Sequence, residues 1–276
     1  MLAASNSQAK TIVRFSVPLI VLVALTSCIG IFVPDFYHKE TLNWQTQSLG
    51  QDILNLVLIV PGLIVVTFLT FSNRRIATLL WGGVLLYLVY TFVIYCFDVH
   101  FNRLFIAYCL GLGLSFYSFI YFLYTQINER IATDFGNALV IKVIGIYFLV
   151  LSTLFYLLWL GEIIPAITNN TTPKSLLDVG LPTNPVHIID LSVILPGIFT
   201  TGIFLLKKKR IGFILAPVIL VFFILMDITI GFLIVMMKEK GLPVNLWLTS
   251  VMGMLALFSL VLLIGYLRSL NKNGIK

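Results

Sequence analysis

Eight runs of roughly 20 or more mostly apolar residues, each bounded by charge or by Pro, Asn or Gly, dictate what this chain can fold into. They are Ile12–Val33, Ile53–Phe71, Ile76–Phe97, Leu104–Tyr124, Leu139–Ile164, Ile188–Leu206, Ile211–Met237 and Leu246–Leu267. A run of that length crosses a bilayer as a helix, because in hydrocarbon every backbone N–H and C=O must be satisfied within the segment. The expected fold class is an all-α polytopic membrane protein with eight transmembrane helices. Of the 276 residues 59% are hydrophobic and 11% charged, against about 25% charged in a soluble domain. That excludes a soluble enzyme, a disordered chain and a disulfide-dense secreted scaffold.

The formal net charge of +7 is positional. If the eight spans alternate, thirteen basic residues fall on one side: Lys10, Arg14, Arg74, Arg75, Arg130, Lys142, Lys207, Lys208, Lys209, Arg210, Arg268, Lys272 and Lys276. Five fall on the other: Lys39, Arg103, Lys174, Lys238 and Lys240. The positive-inside bias then places both termini in the cytoplasm, with the plasma (bacterial inner) membrane as the expected location. No Lys/Arg-rich face remains for nucleic acid. The first run follows Lys10 and Arg14 as a signal peptide would. It is longer than a signal h-region, and Pro34-Asp35-Phe36-Tyr37 follows it in place of a small-residue cleavage site, so it reads as a retained helix. Cys28, Cys96 and Cys109 sit in or beside apolar runs without a Cys-x-x-Cys pair, as small hydrophobes do. The longest outer connections are 34–52 and 165–187, and the overlapping sequons at Asn169 and Asn170 read as loop composition.

The two halves of the chain resemble one another. Asp52–Ile76 aligns without gaps to His187–Ile211, with seven of 25 positions identical. The alignment superposes Pro61-Gly62 on Pro196-Gly197 and ends in each case on a basic hairpin closed by Arg-Ile. Gly30 to Pro34 parallels Gly161 to Pro165 one helix earlier. This pattern predicts a single membrane domain, 1–276, built from two parallel four-helix repeats, 11–130 and 137–270. Proline removes a helix hydrogen bond and glycine eases the bend, so Pro61, Gly62, Pro196 and Gly197 are expected helix kinks that open a cavity near the pseudo-axis. In the fourth run Gly111, Gly113, Ser115 and Ser118 read as a helix-packing face.

Ionisable side chains at membrane depth are functional hypotheses by default. Asp227 is the deepest, about 24 Å along its helix from the cytoplasmic end. Asp190, His187, Glu162 and Asp98 stand nearer the outer ends. Aligned positions in the first half carry Ile31, Asn55 and Phe92 where the second carries Glu162, Asp190 and Asp227, so the acids belong to the second half. The expected substrate- or ion-binding set is Asp190, Asp227, His187, Glu162 and Asn55. Grouped carboxylates exchange protons or bind a cation, and a histidine beside them titrates near neutral pH. His187, Glu162 and Asp190 are also the candidates for metal ligands. Trp44, Trp159 and Trp247 stand near outer ends, where interfacial anchors belong. No phosphate-binding, dinucleotide-binding or nucleophile-elbow motif is present, no histidine lies deep enough for haem, and no cofactor is assignable.

The favoured reading is a small cation- or proton-coupled transporter or channel-like protein with an outward-facing acidic cavity. One alternative is a membrane-embedded enzyme acting on lipid at the outer leaflet, with or without a metal, through His187, Asp190 and Ser192. The other is a non-catalytic membrane partner or sensor subunit. Implied partners are the lipid bilayer, a small solute or cation, and a membrane protein.

Overall fold

The computed structural model describes residues 2–72, 74–128 and 138–272, and every regular element among them is helical. Arg130, Lys276, Glu129 and Asp134 lie outside the described residues. In chain order the helices are α1 (Leu2–Phe32), α2 (Leu42–Leu69), α3 (Arg74–Phe97), α4 (Phe105–Asn128), α5 (Ala138–Thr168), the short α6 (Lys174–Val179), α7 (Pro185–Leu206), α8 (Arg210–Glu239) and α9 (Leu246–Lys272). All except α6 are long and apolar enough to cross a membrane. The eight expected spans are therefore present, and the architecture fits an integral membrane protein.

The largest departure from the sequence reading is α2, which starts at Leu42 rather than Ile53. Thr41 caps it, its hydroxyl accepting from the Trp44 N–H. Residues 42–52 are too polar to read as membrane helix, yet Thr46, Ser48, Gly50 and Asp52 are buried. Their polar face is turned into the protein. The 34–52 connection accordingly shrinks to residues 33–41. Pro165 does not end α5, which continues to Thr168, and the 165–187 connection carries α6, closed by Gly180 at φ 74°.

The proline kinks take a particular form. In α2 a π turn covers Asn55–Ile59, and the Val60 N–H bonds to the Asn55 carbonyl. In α7 a π turn covers Asp190–Ile194, and the Leu195 N–H bonds to the Asp190 carbonyl. Pro61 and Pro196 follow at the same interval. Each lacks an N–H and would press its ring on the carbonyl four residues back, a clash that a widened turn relieves. Gly62 and Gly197 have open space where a Cβ would stand, so neither permits a close helix contact. In α4, Gly111, Ser115 and Ser118 do form a packing face, with Phe92 of α3 against Gly111, while Gly113 faces open space.

Helices α1 to α4 pack as a ring, α1 against α2 and α4, and α3 against α2 and α4. Helices α5, α7, α8 and α9 repeat the arrangement, α5 against α7 and α9, and α8 against α7 and α9. The rings join through α3 and α8, the two most buried spans, flanked by α2 on α8 and α7 on α3. Gly83 permits this approach, since a Cβ there would stand 2.4 Å from Val221. At one end the connections cross-link, Lys39 Nζ donating to the Phe101 carbonyl and Thr41 Oγ1 to the Asp178 carbonyl. We call this the long-loop end. The opposite, basic end carries the hairpin at Lys207–Lys209, and Arg210 there donates to the Gln126 carbonyl across the two rings.

Candidate binding cavity

Between the rings lies a cavity of about 310 Å³ walled by α2, α3, α5, α7 and α8. It runs from Trp44, Val99 and Val186 at the long-loop end down to Leu151, Ile198 and Phe222. Measured along α7, from Val186 to Ile198, this is about 18 Å at 1.5 Å per residue. Most of the wall is aromatic or aliphatic. Two carboxylates, Asp190 and Asp227, interrupt it.

Asp190 stands on the π turn of α7. The Trp159 indole N–H of α5 donates to its Oδ2 at 2.9 Å, and Tyr90 of α3 interacts with the same carboxyl from the other ring. Asp227, in the middle of α8, is only 6% exposed, and its Oδ2 has no hydrogen-bond partner. An unpaired carboxylate oxygen in a low-dielectric site is costly unless it takes a proton or a cation.

The remaining expected site residues lie outside the cavity wall. His187 is buried with its ring 4.4 Å from that of Trp159, and its Nε2 stands 4.0 Å from Glu162 Oε2. Glu162 uses Oε1 to accept from the Ser175 N–H, which ties α6 to α5. With Asp190 engaged by Trp159, the three residues do not converge as metal ligands, and no metal-binding group of three acids, histidines or cysteines occurs among the described residues. Ser192 is exposed and donates to the Ile188 carbonyl at 2.5 Å, away from His187 and Asp190.

Asn55 belongs to a hydrogen-bonded network behind the cavity. Its Nδ2 donates to Ser27 Oγ and Tyr95 Oη, while Gln51 donates to Asn55 Oδ1 and to Tyr87 Oη. Tyr87 pairs with Thr229 Oγ1 of α8 at 2.9 Å. Gln51 and Thr229 also face the cavity, so the network forms part of its wall. At its centre is Asp52, 1% exposed, accepting from Tyr37 and Tyr95 at 2.6 Å each. The first half thus holds a deep acid that the apolar-run reading placed in a loop. Burial and the neighbouring Asp52 push the Tyr37 hydroxyl well above its usual range, which keeps it a donor.

Two other assignments change. Trp44 and Trp159 line the cavity and spend their indole N–H groups inside, Trp44 on the Asp98 carbonyl and Trp159 on Asp190. Only Trp247, 66% exposed, fits a lipid-facing anchor. Asp98, just past α3 at the long-loop end, is buried with Oδ1 unpartnered. Burial, and secondarily the charge of Glu40, push its carboxyl up to about 7.

The chain matches no family model, no curated protein and no solved structure. The functional reading therefore rests on the geometry.

Proposed function

We propose that the protein is a small cation- or proton-coupled transporter whose binding site is the cavity between two parallel four-helix repeats of one membrane domain. The carrying observation is Asp227: a buried carboxylate with a free oxygen, in the wall of a cavity reaching one end of the bundle. Such a group changes occupancy with the proton or cation at hand, which is the chemistry that coupling needs. The repeat reading is supported by the matching π turns, the matching ring contacts and the reciprocal packing of α2 on α8 and α7 on α3. The basic end with both termini faces the cytoplasm on this reading, and the long-loop end faces outward across the plasma membrane.

Purified protein in liposomes carrying a pH-sensitive dye tests the proposal. Under an imposed pH gradient, an external cation from a panel of Na⁺, K⁺, ammonium and phenethylammonium should collapse the gradient faster than it does in protein-free liposomes, and Asp227→Asn should abolish that excess. Rates equal to those of protein-free liposomes across the whole panel would refute it.

A further inference from the structure

Resting on the reading of this cavity as a cation site, we infer that its ligand is an organic ammonium with an apolar body, bound once per chain with its charge on Asp227.

The wall chemistry selects that class. Na⁺, Mg²⁺ and Ca²⁺ surround themselves with oxygen ligands, six or more for the divalent ions. This cavity offers two carboxylates and a few amide and hydroxyl groups in a surface otherwise of rings and aliphatic chains. A space of about 310 Å³ is at the small end of organic-ligand pockets and far larger than a dehydrated metal ion requires. Tyr90, Tyr95, Trp159, Phe222 and Phe223 place aromatic rings in the same wall, and an aromatic ring attracts an ammonium while its apolar surface covers the attached carbon skeleton. The two acids have different work. Asp190 already accepts from Trp159 and stands near Tyr90, so it is fixed in the wall. Asp227 is more than nine-tenths buried and keeps one oxygen without a partner, which suits it to take the N–H donors of the ligand.

The first half explains the stoichiometry. The position aligned with Asp227 is Phe92, whose ring is pressed against Gly111, and that aligned with Asp190 is Asn55, consumed by the hydrogen-bonded network. The counterpart niche is thus filled, and the pseudo-symmetric fold carries a single site.

Isothermal titration calorimetry of the full-length protein in detergent micelles, corrected with empty micelles, tests this. Phenethylammonium should bind one per chain, at least tenfold tighter than its uncharged isostere 2-phenylethanol, and Asp227→Asn should weaken the ammonium at least tenfold without weakening the alcohol. Equal binding of amine and alcohol to the wild-type protein would overturn the inference, and needs no variant to fold. Binding of Na⁺, Mg²⁺ or Ca²⁺ with none of the amine would overturn it while leaving the cation-site reading in place. Binding of no cation of any kind would remove both.

Discussion

Gly30 of α1 and Gly161 of α5 are paired by the sequence alignment of the two halves, yet only one of them is sterically required. A Cβ on Gly30 would stand 1.9 Å from Asp52 Oδ2 and 2.9 Å from the Tyr37 hydroxyl, whereas one on Gly161 would meet nothing within 4 Å. Gly30→Ala must displace the Tyr37–Asp52 hydrogen bond and should destabilise the protein by about 1–3 kcal/mol, as overpacking of a tight interior does. Gly161→Ala should be neutral or slightly stabilising. Thermal unfolding of the two variants in the same detergent checks the contrast. Asp98 gives a second test at this scale. Its folded carboxyl is raised from 3.8 to about 7, so the unfolded chain gives up that proton first as pH rises. Stability should therefore fall as pH climbs between those values, and Asp98→Asn should flatten that part of the profile. A wild-type curve that rises there, or one unaltered by the substitution, would contradict the assignment.

At the scale of elements, the hairpin between α7 and α8 turns on Lys208, at φ 53°, with the Lys209 N–H closing onto the Phe204 carbonyl at 2.7 Å. An L-residue there is strained by roughly 1–2 kcal/mol, which glycine avoids. Since Lys208 is exposed, Lys208→Gly should raise stability by up to about 1 kcal/mol, a loss in unfolded-chain entropy offsetting part of the gain. All eight spans were legible because lipid-facing and core-facing positions are both apolar, so length and boundary charge alone mark them. The start of α2 was not, because a polar stretch reads as loop when its polar side chains are assumed to seek water. Inside a membrane bundle they can seek each other, as Asp52, Asn55, Tyr37 and Tyr95 do. The Thr41 cap was the available signal. The prolines showed where α2 and α7 deviate, but only the backbone reveals that each widens into a π turn whose first residue is Asn55 or Asp190.

At the scale of the whole molecule, depth was legible and azimuth was not. By sequence Asp190 and Asp227 both belong to the outer half of the bundle, Asp227 the deeper, and both prove to face one cavity. His187 and Glu162 share that end of the bundle but point into the contact between α5 and the turn leading to α7. Trp44 and Trp159 have the depth of interfacial anchors, yet each indole found its acceptor inside. Two similar four-helix rings thus enclose an asymmetric interior, closed by hydrogen bonds in one half and left open around acids in the other. The direct test is accessibility. In a background with Cys28, Cys96 and Cys109 replaced, Thr91→Cys places a thiol on the cavity wall while leaving both acids intact. In sealed vesicles this thiol should react with membrane-impermeant thiosulfonates from the long-loop face alone, faster with the trimethylammonium reagent than with the sulfonate one. A thiol that reacts from neither face, or that reacts equally with both reagents, would contradict an acidic cavity opening at that end.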